Sequence, residues 1–336
     1  MIPRVSIILA VRNEERSLPM VLKSLLEQTF SDFELIACDG QSSDGTRKIL
    51  EEAAKGDSRL RVLDNPYRFK SHGLNEGIRQ AKGDVLVIVD GHAAPAPDFL
   101  LRNLEALAKT GADGVGGLVI PLGRTFLQRC FTAVLSSWFG SGGARFRSSH
   151  QAGVVDTVPY GAYPKSVFQR VGFFQEDLVR NMDIEFNARL RRAGGHLYFD
   201  PAIQTNYQVR LNLSSFLSQA YGNGAWNIKT TYLVPGSLSW RHFIPLAFVF
   251  ALLVATILSI LLPPWGWLGL FIVLIPYALL DLFFSAQDSR KLGAIFTLPV
   301  LFGIYPLFHF SYGWGSLVSL LTFPLWRKTT SRSRSK

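Results

Sequence analysis

The stretch DVLVIVDGHA, residues 84 to 93, contains five consecutive apolar residues followed by a carboxylate, a glycine and a histidine. A short apolar run bounded by turn residues is typical of a strand that is buried on both faces. Asp90 and Gly91 are also the usual residues of a turn after a strand. The alternative is a metal site at the strand end, with His92 beside Asp90. Taken alone the motif favours the turn, so the choice between a turn and a metal site depends on the rest of the sequence.

Apolar runs of this kind recur through the N-terminal half and alternate with helical patterns. Helical spacing is clear in the segment after the first run, where Leu18, Val21, Leu22 and Leu25 recur every three or four residues. Three further runs resemble strands: RVSIILA (4–10), FELIAC (33–38) and LRVLDN (60–65). Alternation of strand and helix at short intervals predicts an α/β domain with a largely parallel sheet.

Polar residues follow three of these predicted strands. They are Arg12 to Glu14, Asp39 with Gly40, and Asp90 to His92. Ligands of parallel sheets bind at the carboxyl ends of the strands, so these residues predict one binding site. Acids repel a phosphorylated ligand unless a cation lies between them, and Mg²⁺ or Mn²⁺ binds carboxylates while leaving positions open for phosphate. His92 favours Mn²⁺ slightly.

The C-terminal part is predicted to lie in a membrane. No charged residue occurs from Phe243 to Leu280, and His309 is the only ionisable side chain from Leu292 to Trp326. A spanning helix needs about 20 apolar residues. The first stretch therefore predicts two helices, at about 243–262 and 266–284. The second is interrupted by Pro299, Gly303 and Pro306, and it predicts a hairpin or re-entrant pair bent near HFSYGWG (309–315).

Charge and cysteine content bear on localisation. The first 15 residues lack the long apolar run of a signal peptide, so we expect the N-terminal half to stay in the cytoplasm. Cys38 and Cys130 give no disulfide framework, which agrees with a reducing compartment. The tail 327–336 holds five basic residues and no acid. Next to a membrane, such a tail favours anionic lipid over nucleic acid and is expected on the cytoplasmic side.

Four motifs occur in an order and spacing that resemble family 2 glycosyltransferases. They are VSIILAVRNEE, DGQSSDGT, GLNEGIRQAKGDVLVIVDGHA and RNMDIEFNARLRRAGG. The chain is most similar to the succinoglycan-biosynthesis ExoA-like subgroup, and QAYGNG (219–224) and HFSYGWG extend the resemblance into the C-terminal part. The resemblance implies an α/β fold of the GT-A type, a Rossmann-like nucleotide-sugar-binding domain, followed by transmembrane helices.

The resemblance also implies roles for individual residues. Asp90 stands at the first acid of the metal-binding D-x-D motif, and His92 stands where a second Asp is usual. Asp183 in NMDIEF stands at the family's general base, although a helix N-cap is the simpler explanation from the sequence alone. The nucleotide-sugar contacts implied are Ala10, Arg12, Glu14, Asp39, Asn75, Asp90 and Gly91. The acceptor or interfacial positions implied are Gly161, Gln219, Tyr221 and Trp226.

These roles suit sugar transfer. Loss of a nucleoside diphosphate from a sugar passes through an oxocarbenium-like state, as in glycoside cleavage. A cation held by Asp90 would stabilise the leaving diphosphate, and Asp183 on the opposite face would take the proton of the attacking hydroxyl, which predicts inversion. The Q-x-x-R-W motif of processive synthases does not occur, which favours the addition of one or a few sugars.

The hypothesis is therefore an inverting, metal-dependent glycosyltransferase of a bacterial-type inner membrane. Its expected partners are a nucleotide-sugar donor such as a UDP-sugar, a lipid-linked saccharide acceptor and the bilayer, but no nucleic acid. One alternative is an enzyme that transfers the sugar to a simple lipid, such as polyprenyl phosphate or a glyceride. The other alternative is a membrane transporter with a nucleotide-binding regulatory domain. Four segments are expected: a cytoplasmic catalytic domain (1–212), an interfacial amphipathic linker (213–241), the transmembrane region (242–326) and the basic tail (327–336).

Overall fold

The computed structural model describes residues 4–263 and 265–334, and it describes the side chains of these residues except 325 and 327–334. The chain divides into two compact units. The first runs to Leu122 and resumes at Ala144–Gln208. The second comprises Gly123–Gly143 and the chain from Val209 onwards.

The first unit is built on one mixed sheet of nine strands in the described part of the chain, with the order β3-β2-β1-β4-β8-β6-β9-β5 and with β7 paired to β9. The strands are β1 Val5–Val11, β2 Phe33–Asp39, β3 Leu60–Asp64, β4 Val85–Asp90, β5 Ala93–Pro95, β6 Gly114–Leu122, β7 Gly153–Val154, β8 Ala162–Pro164 and β9 Leu197–Gln208. The predicted α/β class is confirmed. The sheet is mixed because β8 runs antiparallel to β4 and β6.

The register of the parallel strands brings the predicted polar ends together. Strand β1 pairs with β2 on one side and β4 on the other, so that Ala10 lies beside both Cys38 and Asp90. The next residue, Val11, lies beside Asp39. All seven residues of β1 are buried, as expected for a strand covered on both faces. The strand ends therefore meet at one edge of the sheet.

Helices cover this sheet and form most of the second unit. The helices of the first unit are α1 Leu18–Leu26, α2 Thr46–Gly56, α3 Lys70–Gln80, α4 Phe99–Thr110, α7 Arg145–Ser148, α8 Lys165–Val171 and α9 Met182–Arg192. Those of the second unit are α5 Phe126–Ser136, α6 Trp138–Ser141, α10 Leu213–Leu233, α11 Ile244–Leu261, α12 Trp265–Lys291 and α13 Leu298–Arg334, with 3₁₀ turns at Trp240–Phe243 and Ile295–Thr297. Both cysteines are free and buried.

Three segments of the second unit are long and apolar enough to cross a membrane. They are Trp240–Leu261, Trp265–Lys291 and Ile295–Pro324. The prediction of apolar C-terminal helices is confirmed. The first two correspond to the predicted pair on either side of PPWGW. Residues 213–241, predicted to lie at the membrane surface, form α10 and its connection to α11, and their interfacial position stays a prediction.

The predicted hairpin at 292–326 is wrong, because α13 runs without a break from Leu298 to Arg334. Pro299 lies in the first turn of α13, where the absent N–H costs nothing. Pro306 lies inside the helix, which is tolerated in membrane helices because their neighbours compensate. The return of the basic tail to the cytoplasmic side depended on the hairpin and stays a prediction. Residues 335 and 336 and the side chains of 327–334 lie outside the description.

The catalytic segment also differs from the continuous 1–212 that the sequence predicts, because Gly123–Gly143 belongs to the second unit. Aromatic contacts explain the difference. Phe131 of α5 stacks on Phe216 of α10 with ring centroids 4.2 Å apart. Phe139 of α6 stacks on Phe284 of α12 at 5.1 Å. No local pattern in 123–143 identifies these partners, which lie far away in the sequence.

Glycines allow the helices of the second unit to approach closely. A Cβ at Gly224 of α10 would lie 1.9 Å from the carbonyl oxygen of Tyr312 in α13. A Cβ at Gly313 of α13 would lie 2.0 Å from the carbonyl oxygen of Pro245 in α11. Main-chain atoms cannot move aside as a flexible side chain can. Gly224 of QAYGNG and Gly313 of HFSYGWG are therefore helix-packing residues, as small residues commonly are in membrane proteins.

We expect Gly224→Ala to destabilise the second unit, because the added methyl group would collide with the main chain of α13. Overpacking of this kind costs about 1–3 kcal/mol. Gly303→Ala is the matched control, since a Cβ at Gly303 of α13 meets no atom within 4 Å. Thermal unfolding of the full chain in detergent should give a lower apparent Tm for Gly224→Ala alone. Equal melting of the two variants would contradict the close approach.

Candidate active site

A cleft opens at the carboxyl ends of β1 and β4. Its lining consists of Ala10, Val11, Arg12, Glu14, Asn65, Arg68, Lys70, Asp90, Gly91 and His92. Six of these residues are ones that the resemblance implies: Ala10, Arg12, Glu14, Asp90, Gly91 and His92. The others come from the end of β1, from the loop after β3 and from the start of α3.

Asp90 is the most strongly paired carboxylate of the cleft. The ammonium group of Lys70 contacts its Oδ1 atom. Burial opposes the ionisation of Asp90, but the charges of Lys70 and His92 outweigh it and lower its pKa. Burial likewise disfavours charge on Lys70, and Asp90 outweighs that effect and raises the pKa of the lysine. Both groups are therefore ionised at neutral pH.

Glu14 and His92 form a second pair beside the first. The Nδ1 atom of His92 lies 3.0 Å from Oε1 of Glu14, and its Nε2 atom lies 3.8 Å from Oδ2 of Asp90. Burial raises the pKa of Glu14, but the hydrogen bond with His92 and the charge of His92 have a larger opposite effect. The net result is a lowered pKa. The ionised Glu14 accepts a hydrogen bond from Nδ1–H, which fixes the ring and turns Nε2 towards Asp90.

Asp183 lies in the first turn of α9, and the N-cap of that helix is Asn181. The simpler explanation of Asp183 as an N-cap is therefore wrong. Burial is the largest influence on Asp183 and raises its pKa; the positive charge of Lys70 acts in the opposite direction, and the negative charge of Asp90 adds to the rise. The charges of Lys70 and Asp90 therefore act on Asp183, although Asp183 does not line the cleft.

Buried contacts hold α9 in place. Asn187, fully buried, donates to Oγ1 of Thr157 at 2.9 Å and accepts from the hydroxyl of Tyr163 in β8 at 2.9 Å. Phe186 stacks on Phe168 of α8 with ring centroids 4.8 Å apart. These contacts fix the first turn of the helix, and with it Asp183, relative to the sheet.

Strained backbone borders the site. The non-glycine residues with positive φ in the described part of the chain are Asn13, Gln41, Arg68, Tyr160 and Asn181. The first three follow β1, β2 and β3 in turn, and Asn181 precedes α9. A left-handed non-glycine residue is costly, and such residues cluster where a site needs fixed geometry.

The donor atoms of the cleft suit a hard divalent cation. Among the residues that the structure describes, no three His, Cys, Asp or Glu side chains form a metal-binding group. Asp90 and Nε2 of His92 nevertheless face a common space, and Mg²⁺ or Mn²⁺ commonly takes one or two protein ligands and completes its shell with substrate phosphate and water. Glu14 supports His92 as carboxylates support many metal-bound histidines.

Two implied nucleotide contacts have other partners. Asp39 is buried at the end of β2, and its carboxylate accepts from the hydroxyl of Ser42 at 2.6 Å. Asn75 does not line the cleft: its amide donates to the carbonyl of Phe174 and to Glu176, both at 2.9 Å, and accepts from the N–H of Phe174. Asn75 belongs to α3 and Phe174 precedes α9. These hydrogen bonds therefore hold α3, which begins with Lys70, against the segment that leads into α9, which carries Asp183.

The implied acceptor positions are distributed over both units. Gly161 precedes β8 in the first unit, and its carbonyl accepts from the N–H of Ile88. Gln219, Tyr221 and Trp226 belong to α10 in the second unit. Gly161 therefore belongs to a different compact unit from the other three.

Sequence reasoning did not include Lys70 among the predicted site residues. It also gave no role to Tyr160. The signal for Lys70 is its place as the first residue of α3, directly after a loop at the carboxyl end of β3. That signal identifies a lysine near the edge of the sheet but not its partner, because the contact with Asp90 joins residues 20 positions apart.

An α/β sheet with a charged cleft at its strand ends defines a class of enzymes that bind phosphorylated ligands there. Residues 6–138 match Glycosyl transferase family 2, and residues 85–285 match Glycosyl transferase family group 2. The chain belongs to glycosyltransferase family 2, and the predicted enzyme class is confirmed. The alternative of a transporter is set aside.

Similar proteins extend over most of the chain. A dolichyl N-acetyl-alpha-D-glucosaminyl phosphate 3-beta-D-2,3-diacetamido-2,3-dideoxy-beta-D-glucuronosyltransferase of Methanococcus voltae is 28% identical over 77% of this chain and 83% of its own length. Succinoglycan biosynthesis protein ExoA of Rhizobium meliloti is 28% identical over 63% of this chain and 65% of its own length. The crystal structure of S. aureus TarS 1-349 shares the fold, with a TM-score of 0.51 and 16% identity over 93% of this chain and 90% of that one.

We expect Asn75→Ala to lower stability rather than nucleotide affinity. The substitution would leave the buried main-chain groups of Phe174 without their partners, which costs about 1–3 kcal/mol for each unsatisfied group. Thermal unfolding should show the loss, while calorimetry of UDP binding to the folded variant should give a nearly unchanged Kd. A large loss of UDP affinity with unchanged stability would restore Asn75 as a nucleotide contact.

Proposed function

We propose that this enzyme transfers a single sugar, or a few, from a UDP-sugar to a lipid-linked saccharide with inversion at the anomeric carbon. The observation that carries the proposal is the ion pair of Asp90 with Lys70 in the cleft; Asp183 lies outside the lining of that cleft but near enough for both charges to act on it. The reaction needs positive charge at the leaving diphosphate and a base on the opposite face of the sugar.

The donor's diphosphate would bind at the end of β4. Asp90 and Nε2 of His92 would hold a divalent cation there, with Glu14 orienting the imidazole. When bound, the cation would neutralise part of the negative charge that develops on the leaving diphosphate. The mixed donor set of carboxylate and imidazole favours Mn²⁺ over Mg²⁺. Arg12 and Arg68, which line the same cleft, would add positive charge near the nucleotide.

Lys70 would move from Asp90 towards the diphosphate as the donor binds. A lysine ammonium group is a flexible point charge that contacts phosphate readily. Its place beside Asp90 keeps the carboxylate ionised before the donor arrives. Lys70 would therefore keep the site ready in the free enzyme and stabilise the leaving group during transfer.

Asp183 would act as the general base. Its first-turn position in α9 fixes the carboxylate, and burial raises its pKa above the usual range for Asp. A raised pKa makes the carboxylate a stronger acceptor for the proton of the incoming hydroxyl. Protonation removes this activity, so transfer should fall as pH is lowered through that raised pKa.

A membrane-bound acceptor agrees with the apolar helices of the second unit. The Methanococcus voltae relative is named for a dolichyl phosphate-linked acceptor, and the chain covers 83% of its length. By this similarity the acceptor would be a saccharide on a lipid phosphate. We propose the inner membrane as the location, with the catalytic unit on the cytoplasmic side where nucleotide sugars are made.

We expect Asp90→Asn to remove metal-dependent donor binding, because the neutral amide neither attracts a divalent cation nor balances Lys70. His92→Ala should weaken binding and shift the preference between Mn²⁺ and Mg²⁺. Asp64→Asn is the control, since Asp64 also ends a strand but its side chain is 82% exposed and pairs with Arg47. Calorimetry of UDP with Mn²⁺ and with EDTA measures both effects. An equal wild-type affinity in the two buffers would refute the metal site.

We expect Asp183→Asn to lower the turnover by about 10²- to 10⁴-fold, the usual contribution of a general base. UDP affinity should change little, because Asp183 does not line the part of the cleft proposed for the diphosphate. Glu105→Gln, which neutralises an exposed carboxylate of α4, is the control. Radiolabelled sugar transfer to membrane lipid measures the turnover. A rate near that of the wild type would eliminate Asp183 as the base.

A further inference from the structure

Among the described residues, no carboxylate acts on the guanidinium group of Arg147. Its Nη1 atom is buried and has no hydrogen-bond partner among the residues that the structure describes. The neighbouring Arg145 on the same short helix is different, because it donates to the carbonyl oxygens of Val154 at 3.1 Å and Gln151 at 3.0 Å. Arg145 therefore stabilises the loop, whereas Nη1 of Arg147 is a donor without a partner among the described residues. A buried charged group without a partner is costly, and proteins retain few of them.

Aromatic rings, and no carboxylate, surround this guanidinium group. It lies over the ring of Tyr207 at 5.3 Å and near that of Phe146 at 5.5 Å. Burial lowers the pKa of Arg147, and the phenols of Tyr207 and Tyr160 act in the opposite direction. Stacking uses the faces of the guanidinium plane and leaves its edge available for an anion.

The rings connect Arg147 to the active site. His92 packs edge-on against the other side of the cluster, with its ring 5.4 Å from that of Tyr207. Charges from both regions act on Tyr160: burial raises its pKa, the charges of Asp90 and Asp183 raise it further, and Arg147 lowers it. The ring of Tyr207 therefore contacts both Arg147 and His92, while Arg147 lies outside the lining of the cleft at β1 and β4.

We propose that Arg147 binds a phosphate group of the lipid-linked acceptor, at an anion site separate from the one for the donor's diphosphate beside Asp90. The inference rests on the proposed function and specifies the acceptor more closely. The donor's phosphates already have Lys70, Arg12 and Arg68 in their cleft. The charges of Asp183 and Arg147 both act on Tyr160, so an acceptor that presents its hydroxyl to Asp183 would present its phosphate to the guanidinium group. Arginine donors match two phosphate oxygens at once.

Binding of two lipid probes tests the proposal. Farnesyl phosphate should raise the apparent Tm of the full chain in detergent, and farnesol, which lacks the phosphate, should not. Arg147→Gln should weaken farnesyl phosphate binding by about 10- to 100-fold, the usual effect of losing a charged hydrogen bond. Arg147→Lys should restore part of it. Arg191→Gln is the control, because Arg191 is exposed on α9 and outside the site.

Binding of UDP, the nucleotide of the proposed donor, provides the second measurement. UDP with Mn²⁺ should bind Arg147→Gln as it binds the wild type, which also shows that the variant is folded. In the wild type, farnesyl phosphate should still bind when UDP is saturating. Competition between the two probes, or an equal loss of both in Arg147→Gln, would assign the arginine to the donor's phosphates and overturn the proposal. Unchanged farnesyl phosphate binding in that variant would overturn it as well. A wild type that binds neither UDP nor a UDP-sugar would instead refute the proposed function.

Discussion

The contact between the Lys70 ammonium group and the Asp90 carboxylate is the interaction on which the site depends. Glu14, Asp90 and Asp183 bring three negative charges to one partly buried region. Two like charges at about 4 Å repel by about 4 kcal/mol at the effective dielectric constant of a protein surface. Lys70 and His92 offset that repulsion, so the acids can stay ionised together.

The fold holds these charged groups in fixed positions relative to one another. Parallel pairing of β1 with β4 places Ala10 against Asp90, and the amide of Asn75 ties α3 to the segment before α9. Lys70 and Asp183 are therefore both fixed by contacts that are themselves buried. Left-handed residues after β1, β2 and β3 turn the chain sharply at the edge of the sheet. The backbone strain is concentrated at the site and is compensated by a fully buried strand core.

The second unit depends on close packing rather than on charge. Gly224 and Gly313 bring main chains of α10, α11 and α13 into direct contact. Phe139 fills the space between α12 and α13, stacking on Phe284 and packing 5.2 Å from Tyr305. The segment that carries Phe139 lies between two parts of the catalytic sequence, so the chain passes between the units three times.

The sequence by itself determined the fold class, the edge of the sheet where the site lies, and the apolar helices. These follow from local patterns: alternating apolar runs, acids after strands, and stretches of at least 18 residues without charge. Asp90, His92 and Glu14 could be predicted for that reason. Only the tertiary structure decided that Lys70 neutralises Asp90 and that the amide of Asn75 holds the segment before α9. It also decided that Nη1 of Arg147 has no partner among the described residues, and that residues 123–143 belong to the unit of the apolar helices. It also replaced the predicted hairpin by one continuous helix, since whether Pro306 bends a helix depends on the neighbours that pack against it. Each of these outcomes depends on partners distant in the sequence, and pairings between distant residues leave no periodic signal in the chain.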